Sequence, residues 1–423
     1  MTAHTPTARP LDQLNPHTPL DPTPTPLTPI GRMTFAEADA SYELRRLAEV
    51  RRLGVLDTEP EARFDKVVRL AGRLLGVEGV AVNLVDQDRT FAVASMGLDK
   101  RENPREGSFC SVAIQQPTTL VVPDASMDPR FRDTPAVRGG LRFYAGQPLT
   151  GPAGYPIGAL CVWGERARDL TAREQETLRT LGEWVSEELA EEAELGRASQ
   201  IQDALLPRDV PDLYGYEVAG RCLPSHRVGG DFFDWYFVGD TLQINVADVM
   251  GKGVGAAIIG AGLRALLRGA SRFNTLEEAI VRAAASMEND FTATGAFATV
   301  WSGRLDPSTH TLQYVDAGHG LARILSPDGS IRQLASTGMP IGTVSSDRWT
   351  LHEDRLDPGE VLVCCSDGAL DPFPDLEAAE AVLLRVAGRA TSAEDLVQRL
   401  ADLALVAAPA DDVTFVALWR TPA

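Results

Sequence analysis

The feature that most constrains this chain is a recurrence in its second half: aspartates stand where a strand-like run gives way to a glycine turn. They are Gly229-Gly230-Asp231, Asp248 ahead of Met250 and Gly251, Asp367 before Gly368, and the pair Asp411 and Asp412 before a final apolar strand. A carboxylate at a strand end is held by the ladder behind it, and a small neighbour leaves room for an ion and its waters. Oxygen-ligand sites for Mg²⁺ or Mn²⁺ are built this way. One Asp-Gly step alone is most simply a turn. Several converging carboxylates repel one another unless cations sit between them. Two such ions about 4 Å apart can hold a water, lower its pKa and aim it at a phosphorus while neutralising the phosphoryl oxygens. The pattern therefore predicts phosphomonoester hydrolysis with no protein nucleophile.

The surroundings of these aspartates read as strands interleaved with glycine turns: Tyr216 to Leu223, Phe232 to Val238, Leu242 to Ala247, Ala298 to Leu305, Thr311 to Ala317, Ala322 to Leu325, Val361 to Cys365 and Val413 to Trp419. Apolar helical spacing over Val254 to Ala270 and Leu276 to Asp290 predicts a helix pair able to cover a sheet. A third helical region is predicted over Glu377 to Ala407.

The first half has a different texture. Residues 5–29 are rich in Pro and Thr, bury little and are expected to be disordered. Helical spacing begins at Tyr42 and recurs over Phe64 to Leu75. Short strand-like runs follow at Val80 to Val85, Thr90 to Ser95, Leu120 to Val122, Phe143 to Pro148 and Ile157 to Trp163, as in an antiparallel sheet. Thr171 with Glu174 three residues later is a capping-box start. Leu178, Leu181, Val185 and Leu189 then recur at helical spacing, and the helix is expected to run past a weak point at Gly196 to a stop at Pro207. Such a stripe between two domains suits pairing with a second copy, so a homodimer through this linker helix is expected.

With 423 residues the chain has room for two domains. A formal charge of -19 repels phosphate backbones and anionic lipid, which excludes nucleic acid and membrane surfaces as general partners and suits divalent cations. No apolar run is read as a membrane span. The five cysteines (Cys110, Cys161, Cys222, Cys364, Cys365) form no C-x-x-C pair, and the N-terminus lacks a basic-then-apolar leader. These features predict a cytoplasmic setting without a zinc cluster or a disulfide framework.

In the second half the motifs, taken in order, resemble the PPM-type metal-dependent phosphatases and specifically their bacterial SpoIIE/RsbU-like branch. They are IQDALLP (Ile201 to Pro207), VGGDFFD (Val228 to Asp234), ADVMGKG (Ala247 to Gly253), DAGH (Asp316 to His319), GMPIG (Gly338 to Gly342), LDPG (Leu356 to Gly359), SDG (Ser366 to Gly368) and DDVT (Asp411 to Thr414). The resemblance implies an αββα sandwich and two Mn²⁺ or Mg²⁺ ions. It implies that Asp231, Asp248 with the Val249 carbonyl, Asp367 and Asp411 are the metal ligands through which catalysis runs. It further implies a phosphoserine or phosphothreonine protein substrate, in this branch a STAS-domain anti-anti-sigma factor. Met250 stands where eukaryotic relatives carry a histidine general acid. Gly320-Leu321-Ala322 and Asp371 depart from the family pattern without removing a ligand.

The first half resembles a GAF domain through LDT (Leu56 to Thr58), RFD (Arg63 to Asp65), LVDQDR (Leu84 to Arg89), SFC (Ser108 to Cys110), the stretch Asp124 to Phe131, RFYA (Arg142 to Ala145) and IGALC (Ile157 to Cys161). That implies a small-molecule sensor of unknown ligand. The fold class expected is α+β: an N-terminal GAF domain with an antiparallel sheet, joined by a long helix to the sandwich. The domain boundaries expected are 1–39 for the disordered tail, 40–195 for the sensor, 196–212 for a helical linker and 213–423 for the phosphatase.

Several rival readings attach to single residues. Gly251-x-Gly253-x-x-Ala256 imitates a dinucleotide fingerprint but lacks the acid about twenty residues on. His319 is read as pinning a turn, Lys252 as a solvated or partner-contact charge, Cys110 as a buried structural thiol, and Asp128-Pro129-Arg130 as a salt-bridged loop. The competing reading of the whole chain is a catalytically weak regulatory protein that uses the phosphatase fold for partner binding.

Overall fold

The computed structural model describes residues 35–343, 349–407 and 409–422. The Pro/Thr-rich stretch lies outside them. Helix α1 spans Phe35–Arg52, so the first helix starts ahead of Tyr42 and inside the span assigned to the tail.

α1 is followed by α2 (Ala62–Leu75), β1 (Gly79–Val85), β2 (Arg89–Met96), β3 (Glu102–Pro104), α3 (Phe109–Ala113), β4 (Leu120–Val122), α4 (Pro135–Arg138), β5 (Phe143–Thr150) and β6 (Pro156–Gly164). The strands form one antiparallel sheet in the order β3-β2-β1-β6-β5-β4. The period of two divides each central strand between two cores. On β1, Val80, Val82 and Leu84 face a cluster with α1 and α2, while Ala81 and Val85 face one built on α3 and the β4–β5 connection.

α5 (Ala172–Leu205) opens on the expected capping box, with Thr171 and Glu174 satisfying each other's backbone N–H groups. Its Leu178, Leu181, Val185 and Leu189, the stripe expected to face a second copy, are instead buried against the core of their own domain, each contributing on the order of 2 kcal/mol of apolar burial. The helix passes Gly196 unbroken, so the 195/196 boundary and the first half of the expected linker fall inside one helix.

The second half contains β7 (Tyr216–Leu223), β8 (Phe232–Val238), β9 (Thr241–Val249), α6 (Val254–Ser271), α7 (Leu276–Thr294), β10 (Ala298–Asp306), β11 (Thr311–Ala317), β12 (Ala322–Leu325), β13 (Ile331–Gln333), β14 (His352–Arg355), β15 (Val361–Cys365), a 3₁₀ turn (Asp367–Leu370), α8 (Leu376–Ala387), α9 (Ala393–Ala407) and β16 (Val413–Arg420). Two five-stranded antiparallel sheets, β14-β11-β10-β9-β8 and β13-β12-β15-β16-β7, share a core that includes Trp235, Ile244, Trp301, Tyr314, Leu362 and Val416. α6 and α7 cover the outer face of the first sheet, and α8 and α9 that of the second. This is the expected αββα sandwich. The single helical region expected over 377–407 is two helices, because Gly388 to Ser392 interrupts it.

α6 has the length and composition of a membrane span, with 18 residues at a mean hydropathy of 1.2. Here its Ala256, Gly260, Leu263 and Leu267 lie buried in the fold.

Candidate metal centre and its supporting loop

Ladder register brings the aspartates together in two pairs. On the first sheet Phe232 pairs with Ala247, so Asp231, just ahead of β8, stands beside Asp248 at the end of β9. On the second sheet Cys365 pairs with Phe415, which sets Asp367, just past β15, near Asp411 and Asp412 ahead of β16. The packed sheets then bring one pair toward the other. Burial, then Asp367, Asp411 and Asp412, push the Asp248 carboxyl up to about 7. Asp231, 1% exposed, is raised well above the usual carboxylate range by burial and by Asp248. Asp367 is raised by burial and Asp411. Groups that disturb each other's ionisation in this way are near neighbours, and Lys252 offsets only part of the repulsion.

The donor set fits a hard divalent cation. Asp231 Oδ2 is buried without a hydrogen-bond partner, an arrangement that costs free energy unless something else satisfies it. The Val249 carbonyl faces the same loop: a Cβ on Gly230 would collide with it, so only glycine allows that approach. Gly368 is likewise pressed against the Asp412 carbonyl. Among the described residues no three His, Cys, Asp or Glu side chains converge on one point. Mg²⁺-type sites tolerate this, because each ion keeps several waters and takes only one or two carboxylates.

Asp412 has a different task. Its Oδ1 accepts the Ser225 N–H at 2.7 Å and the Ser225 hydroxyl at 2.9 Å, and its Oδ2 accepts the Gly230 N–H at 2.7 Å. It braces the loop that presents Asp231. Lys252, read from sequence as a solvated or partner-facing charge, instead lies 3.3 Å from Asp411 Oδ1 and donates to the Ala410 carbonyl. His319 is buried, with Nδ1 3.0 Å from the Thr299 hydroxyl, and burial lowers its pKa. Its backbone N–H and that of Gly320 donate to Asp316. The DAGH segment is therefore a braced turn, and a neutral buried imidazole is a poor proton donor.

The partners of two contacts on this loop were not assigned by the residue pattern. Gln202 on α5 bonds both backbone groups of Gly229. Arg227 pairs with Glu192 on α5, and Glu192 also pairs with Arg63 on α2. Only the position of Gln202 in IQDALLP marked it.

Two family models match this chain. The GAF domain model covers residues 59–189, and the model described as Stage II sporulation protein E (SpoIIE) covers residues 239–421. The chain is a GAF domain joined to a SpoIIE-family domain. Protein IcfG of Synechocystis is 34% identical over 42% of this chain and 32% of its own length. Phosphoserine phosphatase RsbU of Bacillus subtilis is 22% identical over 59% of this chain and 74% of its own. The crystal structure of the RsbU and RsbW domains of Rv1364c from Mycobacterium tuberculosis is 28% identical, covers 50% of this chain and 64% of that one, and has a TM-score of 0.45. This GAF–SpoIIE chain thus spans about a third of IcfG and three quarters of RsbU.

Within the SpoIIE-family domain a cavity of about 740 Å³ lies between α8, α9 and the second sheet, lined by Leu383, Val386 and Leu400 among others. It is apolar and belongs to the helix–sheet interface. The aspartates sit elsewhere: Asp231 lines a smaller cavity of about 200 Å³ beside Ile201 and Gln202, and Asp411 and Lys252 are partly exposed.

Proposed function

We propose that this GAF–SpoIIE protein is a divalent-metal-dependent phosphatase that hydrolyses phosphoserine or phosphothreonine on a signalling protein. The observation that carries the reading is the approach of Asp231 and Asp248 on one sheet to Asp367 and Asp411 on the other, with Asp231 Oδ2 buried and unpartnered. Asp231, Asp248, the Val249 carbonyl, Asp367 and Asp411 would hold two Mn²⁺ or Mg²⁺ ions. Bound there, such ions supply Lewis-acid activation of water and charge neutralisation at a phosphoryl group.

The chain's own residues do the positioning. Asp412 braces the Ser225 to Gly230 loop and so fixes Asp231. Lys252, beside Asp411, adds a positive charge at the exposed edge, where a phosphate would arrive. Met250 in place of the relatives' histidine, together with the buried His319, leaves solvent water to protonate the leaving oxygen.

Asp411 and Lys252, partly exposed at the edge of the otherwise buried acidic group, leave that edge reachable by a protein surface. The name of the RsbU relative, a phosphoserine phosphatase, supports the same reaction class. A STAS-domain anti-anti-sigma factor is the proposed substrate, a cytoplasmic homodimer through α5 the proposed assembly, and residues 40–195 and 213–423 the proposed sensory and catalytic units.

Manganese-stimulated hydrolysis of an aryl phosphate by the wild type and by Asp367→Asn tests the enzyme reading. Loss of turnover in the variant is expected. Equal rates would remove it.

A further inference from the structure

Behind the six-stranded β1–β6 sheet, the core on α3 holds a group of polar atoms for which phosphatase chemistry has no use. Cys110 lies on α3 and Cys161 on β6, and their sulfurs are 3.9 Å apart. Asn83 on β1 points its amide at both, Nδ2 lying 3.5 Å from Cys110 Sγ and 3.4 Å from Cys161 Sγ. The Tyr144 hydroxyl donates to Cys110 Sγ at 3.5 Å. The stacked rings of Phe109 and Phe131, centroids 3.9 Å apart, enclose the group, and the two cysteines are 6% and 2% exposed.

A buried amide and phenol aimed at sulfur stabilise a thiolate more than a thiol, since each donates to the charged form. The hydrogen bond from Cys161 is the largest influence, and with Tyr144 and Asn83 it brings Cys110 down to about 7 from the ordinary 9.0, against the opposing effect of burial. Cys161, as donor, is raised. The other cysteines offer a contrast within the same molecule: burial pushes Cys222, Cys364 and Cys365 upward, Cys365 to about 12.

We propose that Cys110 and Cys161 are a redox-active dithiol that a small hydroperoxide converts to a reversible intramolecular disulfide. The Cys110 thiolate attacks the peroxide, the O–O bond breaks, and an alcohol (water, from hydrogen peroxide) departs as Cys110 becomes a sulfenic acid. The Cys161 sulfur then attacks the Cys110 sulfur. The S–S bond forms, and the hydroxyl leaves as water with the proton of Cys161. Two thiols lose two electrons and two protons, and the peroxide is reduced by the same two electrons. Closing the sulfurs to bonding distance, about 2 Å, requires movement of α3, a five-residue helix, rather than of β6, which is paired on both sides by β1 and β5.

The test uses the full chain, exposed to hydrogen peroxide, denatured, alkylated with N-ethylmaleimide and mapped by mass spectrometry. Alkylated cysteines are expected to fall from five to three, with the Cys110 and Cys161 peptides joined and both thiols recovered by dithiothreitol. In Cys161→Ser the reaction is expected to stop at a Cys110 sulfenic acid that dimedone traps, and in Cys110→Ser neither product forms. Retention of all five alkylated thiols by the wild type, or oxidation confined to Cys222, Cys364 or Cys365, overturns the proposal. The wild-type map needs no variant to fold.

Discussion

Gln202, in the last turn of α5, directs both ends of its amide at Gly229: Oε1 accepts the Gly229 N–H at 3.1 Å, and Nε2 donates to the Gly229 carbonyl at 2.7 Å. Gly229 lies two residues before Asp231, whose carboxylate is proposed to bind metal. The helix that leaves the GAF domain therefore holds the backbone of the loop that presents Asp231. The ion pairs of Glu192 with Arg63 and Arg227 add a second tie between α2, α5 and the same loop.

Gln202→Ala leaves both Gly229 backbone groups without their partner, a cost of about 1–3 kcal/mol that falls on the loop presenting Asp231. The manganese concentration for half-maximal aryl phosphate hydrolysis is expected to rise about tenfold, the equivalent of about 1.4 kcal/mol. A lower melting temperature with unchanged metal dependence would mean that the clamp serves folding alone.

Asp248→Asn replaces a carboxyl that burial and its acidic neighbours push up to about 7. With chelator present the variant is expected to melt at or above the wild-type temperature, because a neutral isostere removes repulsion. Its hydrolysis is expected to drop by at least about 100-fold, the upper end of what loss of a group supporting a metal costs. Scanning fluorimetry with and without manganese, run beside the activity assay, checks both, and the manganese-induced rise in melting temperature should shrink.

Gly230→Ala drives a methyl into the Val249 carbonyl and to 3.1 Å from the Ala256 side chain. Both neighbours sit in packed structure, so overpacking is expected to cost about 1–3 kcal/mol in urea unfolding. Activity should fall further than stability does, because the displaced groups are the Val249 carbonyl and the loop of Asp231.

Acid should loosen the GAF domain through Glu43. Arg46, followed by Arg105, holds the Glu43 carboxyl down to about 2 from the ordinary 4.5. Its folded value is depressed, so the stabilisation is present above pH 4.5 and is lost as pH falls toward 2. Between those limits wild-type stability is expected to fall more steeply with acid than that of Glu43→Gln, as followed by circular dichroism under urea. Equal slopes would show that the pair contributes nothing.

Much of the strand and helix content was legible because it rests on local periodicity. Tyr216–Leu223, Phe232–Val238 and Thr311–Ala317 coincide with their expected bounds, since Gly215, Pro224, Gly239 and Gly318 punctuate the runs at their ends. Short β3, β13 and β14 gave no signal because they are polar and largely exposed, whereas the equally short but apolar β4 and β12 were readable. The Thr275–Glu278 capping box of α7 was readable but went unused in placing that helix.

The sequence by itself determined that rigid strand ends would carry Asp231, Asp248, Asp367 and Asp411, because the residue types and their glycine neighbours are local properties. Tertiary structure decided what those residues meet. It separated Asp411, beside Lys252, from Asp412, which braces a backbone loop, although the two are adjacent in the chain. It set Cys110 against Cys161 across 51 positions and Gln202 against Gly229 across 27. Contacts of that kind depend on ladder register and helix packing, which no window of neighbouring residues encodes.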